Sequence, residues 1–144
     1  ITVAVNSLMC YYRVRPEERV ADMVVRAEDD LIENCLTSEE LFYYKELPSL
    51  RRLGAGVLNL EGLSHAYNLT GDDKYLRAGL PTFNLALRAE IAGYSGAKSV
   101  EGDAVIYPGG PGPKAFAANF FPAMSFYKAA VEAGLIQANE EPMR

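Results

Sequence analysis

The chain has 144 residues, 49% of them hydrophobic and 23% charged, with a formal net charge of −5. That length supports one domain with a real core, and the composition is that of an ordinary globular protein. The scattered basic residues argue against nucleic acid or a membrane surface as partner, and no apolar run reaches the roughly 18 residues that a membrane span needs.

Ile1 to Cys10 has neither the basic start nor the cleavage site of a signal peptide. The chain begins without Met, so Ile1 is read as a processing or cloning boundary or an internal position of a longer protein. Over residues 2–13, Ala4, Leu8, Tyr11 and Tyr12 recur at near-helical spacing and predict a short amphipathic helix. Pro16 suits the first turn of a second helix, where its missing N–H costs nothing and Glu17 and Glu18 complement the dipole. Val20, Met23, Val24, Ala27 and Leu31 mark the inward face of that helix, which should end near Cys35 or Leu36. Glu28, Asp29, Asp30 and Glu33 are expected on a solvated face. Cys10 and Cys35 fall on adjacent helices, and the pattern favours two buried thiols over a disulfide. With one histidine in the chain they cannot form a Cys/His zinc site of the usual kind, and no cofactor is implied.

Residues 36–52 (LTSEELFYYKELPSLRR) form a first long connection. A third helix, about Leu53 to Leu69, is apolar over a wide arc (Leu53, Val57, Leu58, Leu60, Leu63, Ala66, Tyr67), which predicts a helix enclosed by neighbours. Gly54, Gly56 and Gly62 weaken it but allow close approach of another backbone or a ligand. After a tight turn at Thr70 and Gly71, a fourth helix, about Asp72 to Ile91, carries Leu76, Leu80, Phe83, Leu87 and Ile91 in one stripe. Thr70 with Asp73 resembles a capping box, and Pro81 should kink the helix without ending it. In the second long connection, residues 92–114, Val100 to Tyr107 is the single strand candidate, too isolated to stand alone. A fifth helix, about Lys114 to Ala133, holds Ala117, Phe120, Phe121, Met124, Tyr127 and Val131; Pro122 should bend it and Gly134 stop it. The predicted class is all-α, a single domain of antiparallel α-hairpins.

Leu8–Ala21 repeats the layout of Leu63–Leu76, with Tyr12 matching Tyr67, 55 residues on. That spacing exceeds the roughly 34 residues of tetratricopeptide and roughly 33 of ankyrin repeats. The run Leu60–Leu76 (LEGLSHAYNLTGDDKYL) resembles the AYxLTGDxKYL helix-turn-helix that recurs in (α/α) toroid proteins. These include six-hairpin glycoside hydrolases, polysaccharide lyases and N-acylglucosamine 2-epimerase-like enzymes. A complete toroid needs more helices than the five read here, so the resemblance implies either an arc of a toroid or a smaller helical domain that uses the same hairpin. In the arc case the remainder of a larger chain or another subunit would complete the ring. In that arrangement the third helix is an inner one and the fourth an outer one. The tight turns share one end, and both long connections share the other.

Any chemistry is therefore expected at the long-connection end. Tyr43, Tyr44, Arg51, Arg52, Tyr94 and Tyr107 supply the aromatic faces and guanidinium groups of a sugar cleft, with Glu101 and Asp103 as hydrogen-bonding carboxylates. The plainer alternative is that these loops cap the hairpin ends. A lyase would use a base such as His65, Tyr43 or Tyr44 beside a uronate-neutralising Arg51 or Arg52. A hydrolase would draw its two carboxylates from Glu46, Glu61, Glu101 and Asp103. His65, inside a helix, reads first as a satisfied structural histidine. Pro108–Lys114 lacks the order of a P-loop, and no nucleophile elbow supports Ser-His-Asp chemistry. The expected function is part of a glycoside hydrolase or polysaccharide lyase acting on oligo- or polysaccharide, secreted or periplasmic in that case. The alternative is a non-catalytic α-hairpin scaffold for protein partners.

Overall fold

In a computed structural model, the structure describes residues 1–38, 40–42, 52–53, 56–91, 99–101, 104–106 and 113–137. Helices dominate it: α1 (Thr2–Val14), α2 (Glu18–Cys35), α3 (Asn59–Thr70, entered through a 3-10 turn at Gly56–Leu58), α4 (Lys74–Ile91) and α5 (Pro113–Glu132). The class is all-α. Two hairpins, α1–α2 and α3–α4, are joined at equivalent places. Val14, Glu18 and Cys35 correspond to Thr70, Lys74 and Ile91, each 56 residues on, one more than the tyrosine alignment expects.

The turn of the second hairpin follows from its residues. Gly71 takes φ 73°, a left-handed conformation that costs little without a Cβ, and its N–H donates to Tyr67 O at 2.7 Å. The expected capping box at Thr70 and Asp73 is replaced by another arrangement. Thr70 is still inside α3, so its hydroxyl donates to Ala66 O at 2.7 Å, and Lys74 N–H is taken instead by Asp72 Oδ1 at 3.0 Å. The first hairpin has no such glycine: Arg15 is extended, and Pro16 lies ahead of the N-cap Glu17 instead of inside α2. At the end of α5, Gly134 at φ 72° stops the helix as expected. Gly134 N–H donates to Val131 O at 2.9 Å and Leu135 N–H to Ala130 O at 2.8 Å, a Schellman pair.

Helix α3 touches all four other helices, which accounts for its wide apolar arc. Every residue from Leu60 to Ala66 is buried. The main core gathers Leu31, Leu60, Leu63, Ala66, Tyr75, Leu76, Phe83, Phe126 and Ala130, with the Phe83 and Phe126 rings 5.5 Å apart. Phe42, from the first long connection, is also core, fully buried beside Gly56. A smaller cluster of Val5, Met9 and Val24 seals α1 onto α2.

Three expected faces shift. On α1 the buried residues are Val5 and Met9, while Tyr11 is exposed and its hydroxyl donates to Glu17 Oε1 at 2.7 Å. Cys10 is exposed and Cys35 buried, and no disulfide joins them. On α5, Phe121 and Met124 are 59% and 41% exposed, and the inward stripe is Phe126, Ala129 and Ala130. That helix is apolar on nearly all sides, so periodicity alone cannot choose the side that α3 and α4 will cover. On α2, Met23 is exposed and Glu28 is buried, the reverse of the expected faces.

The strand candidate does not stand alone. Ser99–Glu101 (β2) pairs antiparallel with Ala104–Ile106 (β3), and β3 pairs parallel with Arg52–Leu53 (β1), in the order β1-β3-β2. Leu53, expected to open the third helix, belongs to β1. The third strand comes from the other long connection and is two residues long, too short for any local pattern to announce.

Candidate functional site

Among the described residues, two places bring together groups able to do chemistry. The first is a polar seam between α1 and α3. Thr2, Asn6 and Arg13 recur on one side of α1 at helical spacing, and Glu61 and His65 stand one turn apart on α3. Asn6 Nδ2 donates to Glu61 Oε2 at 2.6 Å, and Thr2 Oγ1 donates to Asn59 Oδ1 at 2.6 Å. Glu61 and His65 are 8% and 7% exposed, and His65 Nε2 lies 3.7 Å from Glu61 Oε1. This pair is not a strong ion pair. Burial, aided by the charge of Arg13, lowers the His65 pKa, so the imidazole is neutral at pH 7. Burial also raises Glu61, against the Asn6 hydrogen bond and the Arg13 charge, which favour its carboxylate. A neutral imidazole and a carboxylate steadied by an amide are a hydrogen-bonding set that suits hydroxyl groups.

Beside the seam lies Glu28, which the sequence places on a solvated face. Its side chain is buried at 1% exposure, and a Cβ added at Gly62 would stand 2.8 Å from its Cδ. The close approach foreseen at Gly62 is thus made by a carboxyl group and not by a backbone or a ligand. Asn6 Oδ1 and Glu28 Oε2 have no hydrogen-bond partner among the described residues. With both neighbours reaching the Glu61–Gly62 step, two orphan acceptors converge on one turn of α3. The sequence held one sign of this: Glu28 is four residues after Val24 and three before Leu31, within the apolar stripe.

Next to Glu28, Asp29 behaves differently. It receives Tyr75 Oη at 2.7 Å and Lys74 Nζ at 3.0 Å. Burial works against its ionised form, but these two donors outweigh that and hold its pKa below the ordinary value. Burial and the hydrogen bond to Asp29 push Tyr75 up to about 12. This trio fastens α2 to α4 and is structural.

The second place is the sheet. The parallel pairing of Arg52 with Val105 and of Leu53 with Ile106 joins the two long connections, and Glu101 pairs with Ala104 in the same sheet. Of the residues singled out from sequence, Arg52 and Glu101 therefore share one three-stranded sheet, and His65 lies in the seam. Tyr43, Tyr44, Glu46, Arg51, Tyr94, Asp103 and Tyr107 lie outside the described residues. Among the described residues no three His, Cys, Asp or Glu side chains are placed to hold a metal ion, and no helix is long and apolar enough to cross a membrane. No protein-family model, curated protein or solved structure matches the chain.

Proposed function

We propose that the chain is an arc of an (α/α) toroid that processes carbohydrate, with its glycan contacts at the end where the two long connections meet. The observation that carries this reading is the β1–β3 pairing, which draws Arg52 and Glu101 from connections distant in sequence into one sheet. The repeated hairpins and the position of α3 between α1 and α5 suit an inner row of helices backed by α2 and α4. Arg52 would meet a uronate, Tyr43, Tyr44, Tyr94 and Tyr107 would stack on sugar faces, and Glu61 and His65 would be the groups able to exchange protons. The test is titration with uronic-acid and neutral oligosaccharides while following tyrosine fluorescence. Binding that Tyr107→Ala or Arg52→Ala weakens at least tenfold is expected, and no response across a broad glycan panel would refute the reading.

A second reading rests on a different observation. Val3 and Val14 on α1 are 81% and 87% exposed, an outward apolar face that suits a scaffold pairing with a second copy. Sedimentation velocity decides it: a monomer at all concentrations removes this alternative.

A further inference from the structure

We propose that Glu28 is a proton-operated latch between α2 and α3: while it carries its proton the helices close on one another, and when it loses the proton they part. This goes beyond the carbohydrate reading and does not rest on it.

The geometry suits an acid and not a carboxylate. Glu28 is 1% exposed, and Gly62 makes room for it, since any Cβ there would meet its carboxyl group. A protonated carboxyl has one hydrogen to place, whereas a carboxylate has two oxygens that both seek donors. Oε2 finds none among the described residues. Burying an ion without donors is far costlier than burying the neutral group.

The surrounding charges do not remedy this. On α2, Asp29 is a like charge and disfavours the carboxylate. On α3, Glu61 is another acid, and His65 is held neutral by burial. On α4, Lys74 and Tyr75 are already engaged with Asp29. On α1, Arg13 acts on Glu61 and His65, and the Ile1 amine favours the carboxylate of Glu28. Burial still dominates and raises Glu28 to about 8, so its proton is held at neutrality and lost just above it. Helix α2 runs directly into the first long connection after Cys35, so parting α2 from α3 would move the base of that connection.

The experiment titrates the unaltered chain, labelled with 13C at the glutamate carboxyls, and follows hydrogen exchange of α2 corrected for the intrinsic rate. The expected result is a Glu28 midpoint near 8. Protection of α2 should fall by up to about tenfold per pH unit as pH rises from about 4.5 towards 8, where only the closed state still holds the proton, and should level off above 8. Glu28→Gln should keep α2 protected throughout. A Glu28 midpoint in the ordinary carboxylate range overturns the proposal without recourse to any variant. So does loss of α2 protection that is unconnected with the Glu28 titration, or that persists unchanged in Glu28→Gln.

Discussion

Replacing Gly62 by alanine should destabilise this protein, although the same change inside an open helix normally does the reverse. In a helix interior alanine is favoured over glycine by about 1 kcal/mol. At Gly62 the new Cβ would stand 2.8 Å from Glu28 Cδ and closer still to Oε1. The carboxyl cannot swing into solvent, because Glu28 is 1% exposed and wedged between α2 and α3. Overpacking of this kind costs about 1–3 kcal/mol, and the crowded group here is a buried acid with nowhere to go, so the upper part of that range applies. The net expectation is a loss of about 1–2 kcal/mol, read from urea unfolding midpoints at pH 6 with unchanged slope. Truncating the neighbour should reverse the sign. In a Glu28→Ala background, Gly62→Ala should become neutral or stabilising, with a coupling of at least about 1 kcal/mol in the double-mutant cycle. If Gly62→Ala alone stabilises the protein, Glu28 does not occupy the space assigned to it.

Stability should also carry the imprint of the buried acid. Because Glu28 holds its proton to about 8 in the folded chain and loses it near 4.5 when unfolded, the folded state binds the extra proton between those values. Its contribution is complete at acid pH and is lost as pH rises, at a slope approaching about 1.4 kcal/mol per pH unit, and Glu28→Gln should remove that slope from urea titrations at pH 5, 6 and 7. Tyr75→Phe should cost about 1 kcal/mol by deleting the 2.7 Å bond to Asp29, with the Asp29 carboxyl titrating higher by NMR. Gly134→Ala meets no atom within 4 Å, so its cost of about 1 kcal/mol in thermal unfolding should come from the left-handed backbone alone.

Much of this fold is written in local chemistry. The second hairpin could be read because Gly71 punctuates it and because Leu60, Leu63 and Ala66 share one helical face, the end of α5 because of Gly134, and the first hairpin from its match to the second. Those signals act within a few residues, and each element largely carries its own. The broad apolar arc of α3 even announced a helix with neighbours on every side. The exact faces of α1 and α5 were less legible. Where apolar residues cover most of a helix, several orientations bury similar area, and only the neighbours choose between Phe126 and Phe121.

The candidate sites divide in the same way. The residue types suited to sugars in the two long connections are visible in the sequence, as is His65 within its helix. Three things required the tertiary structure. Arg52 and Glu101 share a sheet because a two-residue strand meets a hairpin some fifty positions later. Asn6 reaches Glu61 across 55 positions. Glu28, an unremarkable acid in an acidic stretch, is enclosed because Gly62 on another helix leaves space for it. Helical period and turn chemistry are short-range properties, so the sequence by itself determined the helices, the glycine stops at Gly71 and Gly134 and the hairpin repeat. Burial and pairing depend on which surfaces close over a residue, so the polar seam and the enclosed carboxyl were decided only when the helices packed.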